Sequence, residues 1–220
     1  MKIFHIGEEE IYSFEWDYIN SNMYIICGSG LALAVDPVDT EEVRRFLFER
    51  NPRKITVLLT HEHFDHISGV NWIRENFETE VCCSQACAKR ICSASKNLSD
   101  KSDVIIMFNP GLQNNNLHIE PFECKADIVF EDRFLINWNG NNINIISTPG
   151  HSQGSVCIFF ENKFVFTGDT LLEYPTITRL PGGDKSIFFK ETLPFLKSRI
   201  DPNATIFPGH GKCLKIGDID

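Results

Sequence analysis

Residues 60–69 read THEHFDHISG, and three of the chain's seven histidines fall within these ten positions. The run just before them, KITVLLT (54–60), is apolar and too short for a helix, so it reads as a buried strand. His61 and His63 are two positions apart. That spacing does not share a helix face, but in an extended segment both side chains point to the same side. Two imidazoles so placed can chelate one metal, each at about 2.0–2.1 Å for zinc. Asp65 and His66 follow where the backbone turns into a helix, marked by Ile67, Val70, Ile73 and Phe77. They point elsewhere, toward a second ion. A carboxylate with imidazoles suits Zn²⁺, Fe or Mn, so residue type leaves the metal open. Glu62 and Phe64, in the gaps of the motif, face away from it.

The same layout, an apolar strand running into polar donor residues, recurs at three further places: INIISTPGHS (143–152), KFVFTGDT (163–170) and TIFPGHG (205–211). Five of the seven histidines lie at such strand ends. In sheet proteins with helices outside, strand ends are where loops converge and sites form.

Between these points strands and helices mix throughout. MYIICGSGLALAVDP (23–37) reads as two strands around a turn at Gly28-Ser29-Gly30, which is not a phosphate loop because no Gly-x-Gly-x-x-Gly follows. DTEEVRRFLFER (39–50) reads as a helix capped by Asp39 and stopped by Asn51-Pro52. A further helix is expected over 84–93, short strands over 127–167, and a last helix over 186–200 with Phe189, Leu193 and Leu196 on one face and a kink at Pro194. The Asn-rich stretch 96–120 has weak periodicity and reads as an irregular connection or lid.

The 220 residues fit one domain spanning 1–220, and 42% hydrophobic content supplies a core. A net charge of −9 argues against a general binder of nucleic acid or anionic membrane; it leaves room for a small anionic substrate, since a metal inverts the local sign. The first ten residues lack the apolar core of a signal peptide, and no apolar run reaches the roughly 20 residues of a membrane span. The expectation is a cytoplasmic protein. Its eight cysteines are irregularly spaced and read as reduced thiols; Cys82, Cys83, Cys87 and Cys92 lack Cys-x-x-Cys spacing and are not expected to hold a metal. His5 and His118 have no neighbouring donors and read as exposed or structural.

THEHFDHISG, TPGHS, FTGDT and FPGHG, in that order, resemble the motifs of the metallo-β-lactamase superfamily of binuclear metallohydrolases over nearly the whole chain. The resemblance implies an α/β fold, an αββα sandwich of two mixed β-sheets flanked by helices, with metals at one edge. It implies one ion held by His61, His63 and His151, a second held by Asp65, His66 and His210, and Asp169 bridging them. Asp36 matches an acidic residue that supports the site from behind. Two ions with two carboxylates and a bridging hydroxide retain about one positive charge, which suits an oxyanion forming during acyl attack. Asp65 could relay a proton to the leaving group. The implied cofactor is Zn²⁺, two per chain, with Fe or Mn as alternatives.

Within that superfamily, secreted class B β-lactamases carry Cys where Asp169 stands. Nucleic-acid-processing members carry extra basic or inserted domains. Glyoxalase II shares TGDTL but continues into a helical glutathione-binding region, whereas this chain ends nine residues after Gly211. The match is to the compact glyoxalase-II-like group. The expected activity is hydrolysis of an ester, thioester, lactone or amide in a small molecule; an iron-dependent sulfur (persulfide) dioxygenase is the alternative, and a non-catalytic binding module is the weakest reading. Tyr174 and Arg179, with Glu173 and Lys185, are expected at the substrate mouth, Arg179 gripping an anionic group. No nucleic acid or membrane partner is expected.

Overall fold

The structure is a computed structural model that describes residues 1–6, 9–107, 118–161 and 163–219. Two sheets face each other. The first has seven strands in chain order: β1 (Lys2–Ile6), β2 (Glu9–Trp16), β3 (Ser21–Gly28), β4 (Leu31–Val35), β5 (Lys54–Leu58), β6 (Thr79–Ser84) and β7 (Ile128–Phe130). Pairing is antiparallel from β1 to β4 and parallel from β4 to β7. The parallel links need crossovers, which helices supply: α1 (Glu41–Arg50) between β4 and β5, α2 (Val70–Asn76) between β5 and β6, and α3 (Gln85–Ile91) with α4 (Ser102–Met107) between β6 and β7. The second sheet holds β8 (Arg133–Trp138), β9 (Asn141–Ser147), β10 (Val156–Phe160), β11 (Phe164–Gly168) and β12 (Thr205–Pro208), ordered β12-β11-β10-β9-β8, with only β11–β12 parallel.

Period-2 alternation explains the layers. On β3, Tyr24 and Ile26 point between the sheets, where they join Phe164, Phe166 and Phe207 of the second sheet. Met23 and Ile25 point the other way, against Val43 and Leu47 of α1 and Ile73 of α2. On the second sheet, Cys157, Phe159 and Val165 face outward onto Leu196 and Ile200. Both faces of the central strands are therefore covered, which is why β3, β10 and β11 read as continuous apolar runs. The result is the αββα sandwich.

Several local expectations change. Helix α1 is capped by Thr40, whose Oγ1 accepts from Val43 N–H at 3.2 Å; Asp39 instead grips Arg44 through two bonds of 2.6 and 2.7 Å. The last helix begins as α5 (Lys185–Ile187), widens into a π turn over Phe188–Thr192, and continues as α6 (Leu193–Arg199). Pro194 lies just past the wide turn, where its missing N–H is least costly. The extra residue in that turn rotates the face, so Phe188 is buried and Phe189 is 52% exposed. The stretch 96–120 contains α4 and a short 3₁₀ turn (Ser99–Lys101); residues 108–117 of it lie outside the described residues. Among the described residues, no helix is long and apolar enough to cross a membrane.

Candidate metal centre

The C-terminal end of β5 carries the chain through Thr60 into His61–His66. Asp36, just past β4, receives Thr60 N–H at 2.7 Å and Thr60 Oγ1–H at 2.5 Å. Val156 N–H donates to Thr60 O at 2.8 Å, which ties the end of the first sheet to the second. The loop after β12 closes on the same edge: Gly209 N–H donates to Gly168 O at 2.7 Å, and Asn22 N–H to Gly209 O at 2.6 Å. Two glycines permit the closure. A Cβ on Gly209 would lie 2.7 Å from His66 Cε1, and one on Gly168, at φ +48°, would lie 2.7 Å from Thr60 Cβ.

The first donor set is His61, His63 and His151. His61 Nε2 and His151 Nε2 lie 3.1 and 3.0 Å from His63 Nδ1. Their far nitrogens fix the tautomers. His151 Nδ1 faces Ile177 O at 2.7 Å, and a carbonyl only accepts, so Nδ1 bears the proton. His61 Nδ1 faces Thr60 Oγ1 at 3.0 Å, and that hydroxyl has given its own proton to Asp36. In the neutral rings, the Nε2 lone pairs of both histidines therefore converge on His63. Burial, and then the neighbouring imidazoles, push the His61 pKa well below the usual value; burial, and then His151, push that of His63 down to about 3. Converging neutral imidazoles are a cation site: donors about 2.0–2.1 Å from one ion in a tetrahedron lie about 3.3 Å apart.

The second set is Asp65, His66 and His210. Asp65 Oδ2 lies 3.3 Å from His66 Nε2 and 3.2 Å from His210 Nε2. His66 Nδ1 donates to Asp36 Oδ2 at 3.1 Å and His210 Nδ1 to Asn20 O at 3.0 Å, so again Nε2 is the free nitrogen. Burial opposes charge on both rings, but Asp65 and Asp169 outweigh it and hold both pKa values above the usual range. The same contacts overcome the burial of the two carboxyls and hold them well below theirs. Either a proton or a metal must stand at these nitrogens.

Asp169, at the end of β11, joins the two sets. Its Oδ1 lies 3.4 Å from His66 Nε2 and 3.6 Å from His210 Nε2, and its Oδ2 lies 3.6 Å from His151 Nε2. His66 Nε2 and Asp169 Oδ1 are buried without a hydrogen-bond partner, as atoms reserved for a metal would be. Asp36, His61 and His66 also come within donor range of one another. Both Asp36 oxygens, however, are taken by Thr60 and His66 Nδ1, the arrangement of a group that orients donors from behind.

The seven residues expected as donors thus meet at one sheet edge, with Asp36 behind them. Glu62 does face away, whereas Phe64 reaches the cavity in front of the cluster. Glu62 is fully buried, with Oε1 2.5 Å from Arg90 Nε and Oε2 accepting from Ser152 Oγ at 2.9 Å; Phe64 packs with Tyr18, Leu98 and Ile106. A cavity of about 430 Å³ opens in front of the cluster. Tyr174 lines it, with a hydroxyl pushed up to about 12 by burial and then by Asp169 and Asp65. Arg179 departs from expectation: it is exposed and does not line the cavity, whereas its loop neighbours Ile177 and Leu180 do. Glu173 lines an adjoining recess, and Lys185 Nζ sits 5.8 Å over the Phe189 ring. His5 and His118 are exposed, beside Glu10 and Asp103 respectively. Cys82, Cys83 and Cys87 are buried and Cys92 is exposed, and none belongs to a donor group among the described residues. Thr60, the Glu62–Arg90 pair and the carbonyls of Asn20 and Ile177 carry no sequence signal, because backbone acceptors and buried partners depend on the folded neighbourhood.

The family model for the metallo-β-lactamase superfamily matches residues 16–210. Among curated proteins, the chain is 24% identical over 181 residues to the probable polyketide biosynthesis zinc-dependent hydrolase PksB of Bacillus subtilis (strain 168), covering 81% of this chain and 67% of that protein. It is 27% identical over 203 residues to the probable metallo-hydrolase M6_Spy0554 of Streptococcus pyogenes serotype M6, covering 89% and 81%. Among solved structures it resembles the BLEG-1 B3 metallo-β-lactamase (TM-score 0.76, 24% identity, 94% of this chain and 95% of that one). It also resembles TTHA1623 in a di-iron-bound form (TM-score 0.71, 25%, 94% and 95%) and ETHE1 from Myxococcus xanthus (TM-score 0.69, 21%, 94% and 80%).

Proposed function

The chain belongs to the metallo-β-lactamase superfamily, and on that premise we propose that it is a zinc-dependent, glyoxalase-II-like hydrolase of small molecules, cleaving an ester, thioester, lactone or amide. One observation carries this reading: the two oxygens of Asp169 face two different groups of three donors. His61, His63 and His151 would hold one ion, Asp65, His66 and His210 the other, and Asp169 both. A pair of divalent ions so held supplies a Lewis acid for the scissile carbonyl and a water acidified to near neutrality.

The chain's own residues supply the rest. Asp36, Thr60, Asn20 O and Ile177 O each fix the tautomer and direction of one imidazole, so the donors need not reorganise during the reaction. Asp65 lines the cavity, where a carboxylate oxygen can take the proton of the attacking water and pass it to the leaving group. No serine or cysteine nucleophile is required. The unpaired cysteines suit a reducing, cytoplasmic setting.

The test is a screen of zinc-loaded protein against thioesters, lactones, phosphodiesters and β-lactams. Turnover of an acyl substrate that falls with the zinc content supports the reading. One iron per chain and oxygen consumption with a persulfide would replace it with the dioxygenase reading.

A further inference from the structure

We propose that the substrate is an uncharged acyl compound with an apolar tail, its reacting bond at the histidine cluster and its tail in a recess beyond Tyr174. This rests on the hydrolase reading and names the substrate class that the same site would take.

The first observation is what lines the cavity. Apart from the donor residues, its walls are largely aliphatic or aromatic: Ile19, Phe64, Leu98, Leu172, Ile177 and Leu180. The polar exceptions are Glu15, Asn20 and Tyr174. Among the described residues, no lysine or arginine lines it. Residues 108–117, outside the described set, contain no charged side chain and cannot supply one. Away from the donor residues, a carboxylate or phosphate on the substrate's tail would thus meet Glu15 with no lysine or arginine to pair it, and burying an unpaired charge is costly. Aliphatic groups find the opposite.

The second observation is an adjoining recess. A recess of about 250 Å³ shares Leu172 and Tyr174 with the cavity, so these two residues stand between the two. Its walls include Pro175, Phe188, Phe189, Leu193 and Ile219. The π turn builds it by sending Phe188 inward and leaving Phe189 at the rim, the rings edge to face at 5.1 Å. The charged groups lining it are Glu173 and Asp218, both acidic. Lys185, over the outer Phe189 ring, is the nearby cation and is not among the lining residues. Cavity and recess lie side by side, both largely apolar with carboxylates at their margins, which suits a neutral chain better than an anionic carrier.

The experiment uses the full chain, zinc-loaded, with N-acetylcysteamine thioesters of two-, four- and eight-carbon acyl chains and their counterparts ending in a carboxylate. kcat/KM is expected to rise about two- to fourfold per added methylene until the recess is filled, and each carboxylate counterpart to be slower by about tenfold or more. A flat series, or faster turnover of the carboxylates, overturns the proposal. Calorimetric binding of octanamide against its carboxylate-ended analogue decides it independently of turnover: tighter binding of octanamide supports it, and equal or weaker binding overturns it. Failure of every thioester to react would count against the hydrolase reading alone. Phe189→Asp, at a half-exposed position that tolerates a charge, should flatten the chain-length series. An unchanged series would overturn the assignment of the recess.

Discussion

Replacing Gly168 by alanine separates the backbone demands of the site from ordinary packing. Gly168 ends β11 at φ +48°, directly before Asp169. A Cβ there pays the left-handed cost of about 1–2 kcal/mol. It would also collide with Thr60 Oγ1 and lie 3.3 Å from His61 Nδ1. Overpacking of this kind costs about 1–3 kcal/mol, for a total of about 2–5 kcal/mol. For a protein of this size that is a fall in Tm of about 4–20 °C. Thr60 is the hinge between Asp36 and His61, so its displacement should weaken metal binding about 10–100-fold. Gly140→Ala is the control: φ is +85°, yet a Cβ there has nothing within 4 Å. It should lose only the backbone share, about 1–2 kcal/mol, and bind metal normally. The assay is a competition titration with a chromophoric zinc chelator, alongside thermal melts with and without EDTA. Equal zinc affinity in the two variants would refute the reasoning that Thr60 transmits the clash to the donors.

Asp36→Asn keeps a residue that tolerates the left-handed φ of 51° but puts an amide among three donors; zinc affinity should fall about 10–100-fold, with the loss concentrated in the ion next to His66, as read by two-step zinc titration. Arg90→Ala leaves the carboxyl of Glu62, already raised by burial, without its ion partner; denaturant unfolding should show a loss of about 3–5 kcal/mol, much of it recovered in the double variant Glu62→Gln/Arg90→Met. Chelation of the metals should lower stability by about 2.7 kcal/mol for each site formerly held at 100 times its Kd, read as a fall in Tm that added zinc reverses.

The donors were legible in the sequence because the fold concentrates them where apolar strands stop, and strand ends are visible as abrupt changes of composition. His61, His63, His151, Asp169 and His210 all lie there. Hairpin β3–β4 was equally plain, since Ser29 and Gly30 both take positive φ, as a tight turn requires. Strands β1, β2 and β6 were missed, and β8 was not singled out within the stretch 127–167. On β8 the alternation is half-exposed against exposed, so its apolar contrast is weak, and β6 runs directly into the cap of α3 and merges with it in sequence. Thr40 and Asp39 are both good caps, and only the position of Arg44 decides between them. The cavity walls come from well-separated segments, so neither its apolar character nor the outward direction of Arg179 could be read from neighbours in the chain.

The most direct test is diffraction from zinc-soaked crystals at the zinc absorption edge. Two anomalous peaks are expected, one about 2.0–2.2 Å from His61 Nε2, His63 Nδ1 and His151 Nε2, the other equally close to Asp65, His66 Nε2 and His210 Nε2, with Asp169 touching both. Peaks elsewhere, or none at this sheet edge, would contradict it.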